Sequence, residues 1–318
     1  MKKDNCVLCG SRHYEVVSTK LRHNKEGEVV KCNKCELVRL LGAQGYAEKL
    51  DEYYAEQYAK EYHQGVKMEY DSLFESFLPV QKHRVDKVRP YLSKDHRLLE
   101  IGSSTGYFLE SVRPYLTEIQ GVELNRGEAQ YANEIRNVPT IDSPLENCDL
   151  PVNYYDHICL FQVLEHAANP VQFLKNLRKH LRPGGKVHIE VPNLRDSLVS
   201  FFEVKEYRDF YYQEPHLYYF TTEMLRKVCE SADYNTVSIC GFQQTSIINN
   251  LNWVFLHHPQ RSRWDCIQSR LPEGSIREDV PTTLRAEFED FMNDVNSRYI
   301  GFMEEKGLTD MLFANISI

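Results

Sequence analysis

The stretch R-L-L-E-I-G-S-S-T-G-Y-F-L-E-S-V, residues 97–112, passes from a short apolar run through a turn rich in glycine and serine into a helical pattern. Phe108 and Val112 fall on one face of that pattern, which predicts a strand, a tight turn and a helix in succession. Gly102 and Gly106 lack a Cβ atom, so the backbone between them can turn sharply and approach a ligand closely. Free N–H groups at the start of the helix would point at that ligand. The stretch therefore predicts a nucleotide-sized cradle.

The glycine spacing separates this turn from the dinucleotide-binding pattern. It reads G-x-x-x-G with Ser104 in the middle, instead of G-x-G-x-x-G, which makes a nicotinamide or flavin cofactor the weaker interpretation. Further along, E-I-Q-G-V-E-L ends a second predicted strand at Glu123, whose carboxylate is well placed to accept hydrogen bonds from the two hydroxyls of a ribose. Glu100 adds a second carboxylate just before the first glycine. A ligand that contains a ribose is therefore expected at this edge.

Two more motifs follow the turn along the chain, V-L-E-H at 163–166 and L-R-P-G-G-K-V at 181–187. Together with the acidic residue and turn at 100–106, they make residues 95–246 and a short C-terminal strand resemble the class I S-adenosylmethionine-dependent methyltransferases. The resemblance implies a Rossmann-like, doubly wound α/β sheet of seven strands, the last of them antiparallel, and S-adenosylmethionine as the cofactor. The cofactor-binding residues that it implies are Glu100, Gly102, Ser104, Gly106, Glu123, Leu124, Leu145 and Gln162.

An alternating series of strands and helices surrounds these motifs. Strands are predicted near 97–101, 118–123, 138–141, 155–161, 186–191, 233–246 and 307–317, and helices near 105–113, 126–136 and 170–181. Helices of this length between apolar strands favour a parallel sheet with helices on both faces and a ligand at the carboxyl ends of its strands. The Pro-Gly-Gly run at 183–185 is expected to end the third helix. Residues 96–318 are assigned to this domain, with a helical insertion at about 250–306.

Two C-x-x-C pairs lie near the N-terminus, and a β-hairpin around residues 24–27 is expected between them. They comprise Cys6, Cys9, Cys32 and Cys35. Each pair presents two thiolates on one side of a tight turn, which predicts a closed tetrahedral site for a structural Zn²⁺ ion. A redox pair and a disulfide are the alternative interpretations, and a reducing compartment disfavours both. Residues 1–45 are therefore assigned to a zinc-binding module, and the five scattered cysteines to reduced, buried positions.

Residues 46–95 are expected to connect the zinc-binding module to the α/β domain. The connector is polar and aromatic with a helical period, and Tyr54, Tyr58 and Tyr62 recur at i, i+4 and i+8. Two helices are expected there. The tyrosine stripe is interpreted as packing on the neighbouring domain, or alternatively as a lid that contributes a tyrosine to the cofactor or acceptor pocket.

An unusually aromatic loop, Y-R-D-F-Y-Y-Q-E-P-H-L-Y-Y-F-T-T, spans residues 207–222. Flat faces that stack and polar tips that hydrogen-bond suit a sugar-like acceptor, whereas a role in the core alone is expected to leave polar groups unpaired. The segment resembles the E-H-L-x-Y stretch of the zinc-bearing sugar methyltransferases of deoxysugar and surface-glycan pathways, in which the histidine is the proposed base. That resemblance implies His216 as the general base of this chain.

The catalytic residues expected from the sequence are His216, His166 and Glu214. The end of the fourth strand places Gln162, Glu165 and His166 at the rim where the sulfonium of the cofactor would lie, although a helix start at Glu165 competes with this interpretation. Pro215 interrupts the family motif, and the large C-terminal domain of the sugar C-methyltransferases is missing. Methylation of a sugar hydroxyl, on a nucleotide sugar or a surface-glycan precursor, is therefore favoured over C-methylation.

The insertion at 250–306 contains W-V-F-L-H-H-P and a charged amphipathic helix. Phe288, Phe291, Val295 and Ile300 fall on one side of that helix. We expect the insertion to cap the substrate cleft or to form an oligomer contact, as in a homodimer.

The net charge of −8 argues against a general electrostatic grip on nucleic acid and favours a small-molecule acceptor. An rRNA or tRNA base methyltransferase is one alternative, because some rRNA base methyltransferases also carry an N-terminal zinc module. A non-catalytic scaffold that binds a protein partner is the other. No apolar run reaches membrane-spanning length and M-K-K-D-N is no signal peptide, so we expect no membrane span and a cytoplasmic location.

Overall fold

The structure, a computed structural model, describes residues 5–43, 69–260, 263–267, 271 and 274–318. The predicted tyrosine stripe of Tyr54, Tyr58 and Tyr62 lies outside the described residues. Within the described part of the chain, no helix combines the length and the apolar character that crossing a lipid bilayer requires.

Strands and helices alternate through the middle of the chain. The strands are β1 (Tyr14–Leu21), β2 (Lys25–Cys32), β3 (Val38–Leu40), β4 (Arg97–Ile101), β5 (Glu118–Glu123), β6 (Thr140–Asp142), β7 (Tyr155–Phe161), β8 (Leu181–Pro192), β9 (Tyr218–Tyr219), β10 (Asn235–Phe242) and β11 (Met311–Ser317). The α-helices are α1 (Tyr70–Phe77), α2 (Lys82–Val88), α3 (Tyr107–Val112), α4 (Arg126–Glu134), α5 (Pro170–Arg178), α6 (Ser197–Ser200), α7 (Lys205–Tyr211), α8 (Thr222–Ser231), α9 (Ile247–Leu256), α10 (Arg263–Ile267) and α11 (Thr282–Lys306).

A seven-stranded sheet with the order β10-β11-β8-β7-β4-β5-β6 forms the central layer. Every pair from β8 to β6 is parallel, whereas β11 runs antiparallel to both of its neighbours, β8 and β10. This arrangement confirms the predicted Rossmann-like class I methyltransferase sheet with an antiparallel last strand. The chain leaves β4 towards β5 on one side and returns to β7 on the other, which opens a ligand crevice at their carboxyl ends.

The buried apolar side chains alternate between the two faces of this sheet, as the two-residue period of a strand requires. On β4, Leu98 packs in one cluster with Phe108 and Val112 of α3. Its neighbour Leu99 belongs to a second cluster, which includes Leu160 and continues into the N-terminal module. The module and the large sheet therefore share a continuous core.

The third predicted helix ends earlier than expected, and the Pro-Gly-Gly run does not end it. Helix α5 ends at Arg178, and β8 already begins at Leu181. The carbonyl oxygens of Lys179 and His180 accept hydrogen bonds from Asn153 and Tyr154, which draws this segment to the sheet. Strand pairing thus overrides the local turn signal of the two glycines.

The N-terminal module is a small antiparallel sheet with the order β1-β2-β3-β9. The predicted hairpin between the cysteine pairs is present, but its turn lies at Arg22–Asn24, before the expected residues. His23 and Asn24 adopt left-handed backbone angles, with φ of 62° and 55°, in place of a glycine. The fourth strand, β9, comes from the aromatic loop of the large domain.

The predicted insertion forms helices α9, α10 and α11, of which α11 is the longest. Met303 is buried, and the Asn296 side chain accepts a hydrogen bond from the backbone N–H of Ile247 at the start of α9. Phe288 and Phe291, expected on the apolar side of α11, are exposed in the single chain. Capping of the cleft and a homodimer contact both stay predictions.

Candidate active site

The turn after β4 has the left-handed backbone that the glycines predict. Gly102 and Gly106 have φ values of 72° and 84°, and Gly106 caps the N-terminus of α3. A Cβ atom on Gly102 would lie 2.8 Å from a methyl group of Val163, so the close approach admits only glycine. Ser104 and Gln162 also have positive φ, 49° and 57°, although neither is glycine. Other non-glycine residues with positive φ, such as Asn137 and Asn153, lie elsewhere in the chain, so the strain supports a functional role only together with the contacts described next.

Glu123 ties this turn to the end of β5. One carboxylate oxygen accepts a hydrogen bond from the backbone N–H of Ser104 and the other from that of Asn125, each at 2.8 Å. The Ser104 hydroxyl donates to Glu128 at 2.5 Å. Burial raises the pKa of Glu128 to about 8 and also raises the pKa of Glu123. Glu123 is thus held rigidly at the edge where a ribose was expected, and its oxygens keep further lone pairs for ligand hydroxyls.

Three buried polar atoms beside the turn have no hydrogen-bond partner among the described residues: Glu100 Oε2, Ser103 Oγ and Thr105 Oγ1. Burial holds the pKa of Glu100 well above its usual range. Unpartnered buried polar atoms are costly, so such atoms gathered in a cleft indicate a missing polar ligand. These atoms, the strained turn and Glu123 together fit S-adenosylmethionine, with its amino-acid end and ribose.

The other implied cofactor residues lie on the same edge. Leu124 and Leu145 are half-buried and follow β5 and β6, respectively, and Leu145 begins a short 3₁₀ helix. The Gln162 side chain, just after β7, donates to Glu190 at 3.3 Å. The turn, Glu123, Leu124, Leu145 and Gln162 are therefore brought to one edge, and their contacts with the cofactor stay predictions.

Sequence reasoning missed a buried ion pair beneath this edge. Arg84 of α2 donates to the two carboxylate oxygens of Glu190 on β8 at 2.6 and 3.1 Å, and His83 lies 3.1 Å from the same carboxylate. The Arg84 guanidinium holds the pKa of Glu190 well below its usual range in spite of burial. The available signal was a glutamate inside the apolar run V-H-I-E-V-P, because a charge in a buried strand requires a partner.

A second polar group lies on the 3₁₀ turn Leu164–His166 that follows β7. Glu165 is fully buried, and neither of its carboxylate oxygens has a hydrogen-bond partner in the part of the chain that the structure describes. Its backbone carbonyl accepts from the N–H of Leu217, which holds the aromatic loop against the turn. Burial raises the pKa of the Glu165 carboxyl to about 8. The turn therefore presents a carboxyl group that the protein itself leaves unsatisfied.

The two predicted catalytic histidines lie beside this carboxyl group. The rings of His166 and His216 are 4.8 Å apart, and ligand atoms of Glu165, His166 and His216 all lie within 4.8 Å of one another. Burial lowers the pKa of His166 to about 4 and holds that of His216 well below its usual range. Both imidazoles are therefore neutral near pH 7.

Glu214, the third expected catalytic residue, lies apart from this group. Its carboxylate is part-exposed and pairs with Lys25 of the N-terminal module at 2.8 Å. The intervening Pro215 uses its carbonyl oxygen to bond His166 Nδ1 at 2.8 Å. The structure thus brings His166 and His216 together with Glu165 and leaves Glu214 on the surface.

Most tyrosines of the aromatic loop form core, contrary to the argument that a core role would strand their hydroxyls. Tyr218 donates to the carbonyl of Ala168, and Tyr219 to the carbonyl of Gln213. Backbone carbonyls accept the hydrogen bonds of these hydroxyl groups. The sequence pattern could not reveal these long-range partners. The Tyr211 hydroxyl, by contrast, is buried and finds no partner within the described ranges.

The four N-terminal cysteines form a compact cluster of free thiols, with all four sulfur atoms within 4.8 Å of one another. The Sγ atoms of Cys6 and Cys35 are 3.5 Å apart, as are those of Cys9 and Cys32. Zn–S bonds of about 2.3 Å in a tetrahedron place sulfurs about 3.8 Å apart, so the donor set and its spacing fit a zinc ion.

Comparison with known proteins agrees with this geometry. A family model described as a methyltransferase domain matches residues 74–239. An uncharacterised protein of Methanocaldococcus jannaschii is 27% identical over 146 residues, 46% of this chain and 68% of that protein. A tRNA U34 carboxymethyltransferase of Campylobacter fetus is 26% identical over 184 residues, 55% of this chain and 62% of that protein.

Among solved structures, an S-adenosylmethionine-dependent methyltransferase from Archaeoglobus fulgidus has a TM-score of 0.49 and 17% identity. The match covers 79% of this chain and all of that one. The family model spans more than half of the 318 residues and includes the turn, Glu123 and the histidine pair. The chain therefore belongs to this methyltransferase family, and it is an S-adenosylmethionine-dependent methyltransferase.

Proposed function

We propose that this enzyme methylates a hydroxyl group of a sugar, on a nucleotide sugar or a surface-glycan precursor. The observation that carries the proposal is the grouping of a Glu165 carboxyl, unsatisfied among the described residues, with two neutral histidines at one buried place. The Tyr211 hydroxyl, on the same aromatic loop as His216, is also buried without a partner in the described part of the chain. A carboxyl group that accepts and a phenol that donates suit a ligand with several hydroxyls better than an apolar one.

Bound S-adenosylmethionine supplies a methyl group activated by its sulfonium and leaves as S-adenosylhomocysteine. Glu100, Glu123 and the turn between Gly102 and Gly106 would hold it. In the simplest form of the proposal, a ring nitrogen of His216 takes the proton of the acceptor hydroxyl. Gln213, whose amide nitrogen lies 2.7 Å from Nε2 of that ring, orients the imidazole.

His166 acts beside it as an orienting group. Its Nδ1 is held by the carbonyl of Pro215, so its Nε2 faces the Glu165 carboxyl at 3.9 Å. Burial of all three groups excludes water from the place where the hydroxyl would react, which strengthens each polar contact.

We also infer that the cysteine cluster holds a structural zinc ion. Four thiolates fill a tetrahedral site and leave no open position, so the ion would stabilise the module without taking part in the chemistry.

A tRNA acceptor is the second candidate, supported by the relative from Campylobacter fetus. The net charge of −8 weighs against it, because phosphate contacts by lysine and arginine supply most of the affinity of RNA-binding proteins.

The deciding experiment incubates the enzyme with S-adenosylmethionine labelled in its methyl group and a panel of nucleotide sugars, with total tRNA as a parallel substrate. We expect label in at least one sugar, in an ether linkage that resists alkali. A parallel reaction with the His216→Ala variant should lose the label. Label in tRNA alone would overturn the sugar proposal.

A further inference from the structure

The Glu165 carboxyl has no hydrogen-bond partner among the described residues. The charge of the buried Arg84 guanidinium acts on three buried glutamates, Glu100, Glu165 and Glu190. Arg84 is engaged by Glu190 through both carboxylate oxygens and by the Gln81 side chain. A carboxylate in a buried site is stable only when it is paired, hydrogen-bonded or bound to a metal ion. In the described part of the chain Glu165 has none of these.

Two imidazoles lie beside this carboxyl, and they are arranged as metal ligands usually are. A histidine that binds a metal through one ring nitrogen commonly donates from the other to a backbone carbonyl or carboxylate. His166 meets this description, because Nδ1 lies 2.8 Å from the Pro215 carbonyl and Nε2 lies on the side of Glu165, 3.9 Å from Oε1.

His216 completes the set from a different part of the chain. Its ligand atom and those of Glu165 and His166 span at most 4.8 Å. Ligands at about 2.1 Å from one ion in a tetrahedron lie about 3.4 Å apart, so side-chain movements that total about 1.4 Å would bring all three atoms to the ion. Changes of this size are common when a ligand binds.

We propose that Glu165, His166 and His216 form a second metal site, for a divalent cation of the manganese to zinc type that binds two imidazoles and one carboxylate. Such a three-ligand set leaves coordination positions open on the cation. The proposal deepens the proposed function and rests on it for one step. A hydroxyl of the acceptor occupies an open position, and the cation lowers its pKa. His216 then serves as a ligand that holds the cation, and the proton that the hydroxyl loses passes to solvent water.

The two metal sites are separable by their ligand chemistry. The four thiolates of the N-terminal cluster select soft or borderline ions such as zinc, whereas a site of nitrogen and oxygen also binds Mn²⁺. Mn²⁺ added to the full-length protein that carries one zinc per chain, the content that fills the cysteine cluster alone, therefore reports on the second site.

Mn²⁺ binding, followed by the loss of the electron paramagnetic resonance signal of the free ion, tests the proposal without an acceptor. We expect the wild type to bind about one equivalent. The isosteric variant Glu165→Gln, which keeps the packing, should bind more than about 100-fold more weakly, beyond the loss caused by removal of an outer-sphere partner. His216→Ala should lose the site as well.

Glu214→Gln is the matched control, since it removes the same charge two residues from His216 on the exposed side of the loop. It should bind Mn²⁺ as the wild type does. Absence of Mn²⁺ binding by the wild type, or equal binding by Glu165→Gln, would overturn the cation site.

Failure of the sugar proposal gives a different result. If Mn²⁺ binds at the expected residues while no sugar is methylated, the cation site stands and the acceptor proposal falls. If a sugar is methylated at full rate in chelator and Mn²⁺ does not bind, His216 acts as a direct base and the cation site falls.

Discussion

The proposed cofactor edge and the proposed acceptor side of the enzyme are built in opposite ways. The cofactor edge, with the turn at 102–106, Glu123 and Glu128, comes from one uninterrupted strand, turn, helix and strand series. The acceptor side joins Glu165, which follows β7, to His216, which follows α7. Local order along the chain determines the first region, and long-range contacts assemble the second.

The acceptor side is in direct contact with the N-terminal module, whereas the cofactor edge is built from the large domain alone. The backbone N–H of Arg22 donates to the carbonyl of Tyr212 at 2.6 Å, and that of Leu40 to the carbonyl of Leu217 at 2.9 Å. Strand β3 of the module pairs with β9, directly after the loop that carries His216. Damage to the module should therefore reach the acceptor side and spare the cofactor edge.

The largest effect is expected from His216→Ala. Loss of a group that activates the acceptor, directly or through a cation, should lower turnover by about 10²- to 10⁴-fold. Affinity for S-adenosylmethionine, measured by calorimetry, should stay nearly intact, because His216 lies outside the cofactor edge. His166→Ala should affect cofactor affinity and turnover together.

The opposite pattern would exchange the two roles. An active His216→Ala variant, with His166→Ala inactive at normal cofactor affinity, would assign the activation to His166 and make the loop a binding surface only.

Glu123→Ala should produce the next largest effect, and this effect should fall on the cofactor edge. Loss of charge-assisted hydrogen bonds to the ribose should weaken binding of S-adenosylmethionine by about 1.5 to 3 kcal/mol. Turnover at saturating cofactor should change much less, because the acceptor side is untouched. A direct titration that shows unchanged affinity would mean that the ribose binds elsewhere.

The contrast between local order and long-range contacts explains how much of the structure can be predicted from the sequence. Strands β4, β5 and β7 begin and end where their apolar runs predict, and the sheet order follows from ordered motifs. The Arg84–Glu190 pair joins residues 106 positions apart, and no local pattern specifies which arginine reaches that strand.

The acceptor side shows a second limit of prediction from sequence. The sequence places Glu165 at the rim but gives no reason to set it above Glu214 as a partner of the histidines. Only the folded chain shows that one carboxyl group is fully buried and unsatisfied and that the other is part-exposed and paired with Lys25. Burial, and not residue type, separates the two.

A smaller effect should follow the loss of the zinc cluster. We expect metal analysis of protein prepared without chelator to give about one zinc per chain, and Cys9→Ser to lower both zinc content and solubility. Weakening the module should raise hydrogen exchange at residues 213–219, by about fivefold for each backbone hydrogen bond of about 1 kcal/mol that is lost. Affinity for S-adenosylmethionine should stay close to that of the wild type. Increased exchange confined to residues 5–43 would show that the module does not support the loop.

The smallest effect is expected from Glu214→Gln, although this residue lies only two positions from His216. Its contact with Lys25 joins two side chains with 40% and 47% of their surface exposed, and ion pairs of this kind contribute about 0 to 1 kcal/mol. Because Glu214 does not reach the Glu165 group, we expect turnover to fall by less than about threefold and cofactor affinity to be unchanged. Turnover can be measured beside His216→Ala under identical conditions. A loss of turnover comparable with that of His216→Ala would mean that the loop turns its other side to the acceptor during the reaction. The long-range contacts to the N-terminal module would then describe a resting arrangement of the loop, and the contrast between the cofactor edge and the acceptor side would no longer hold.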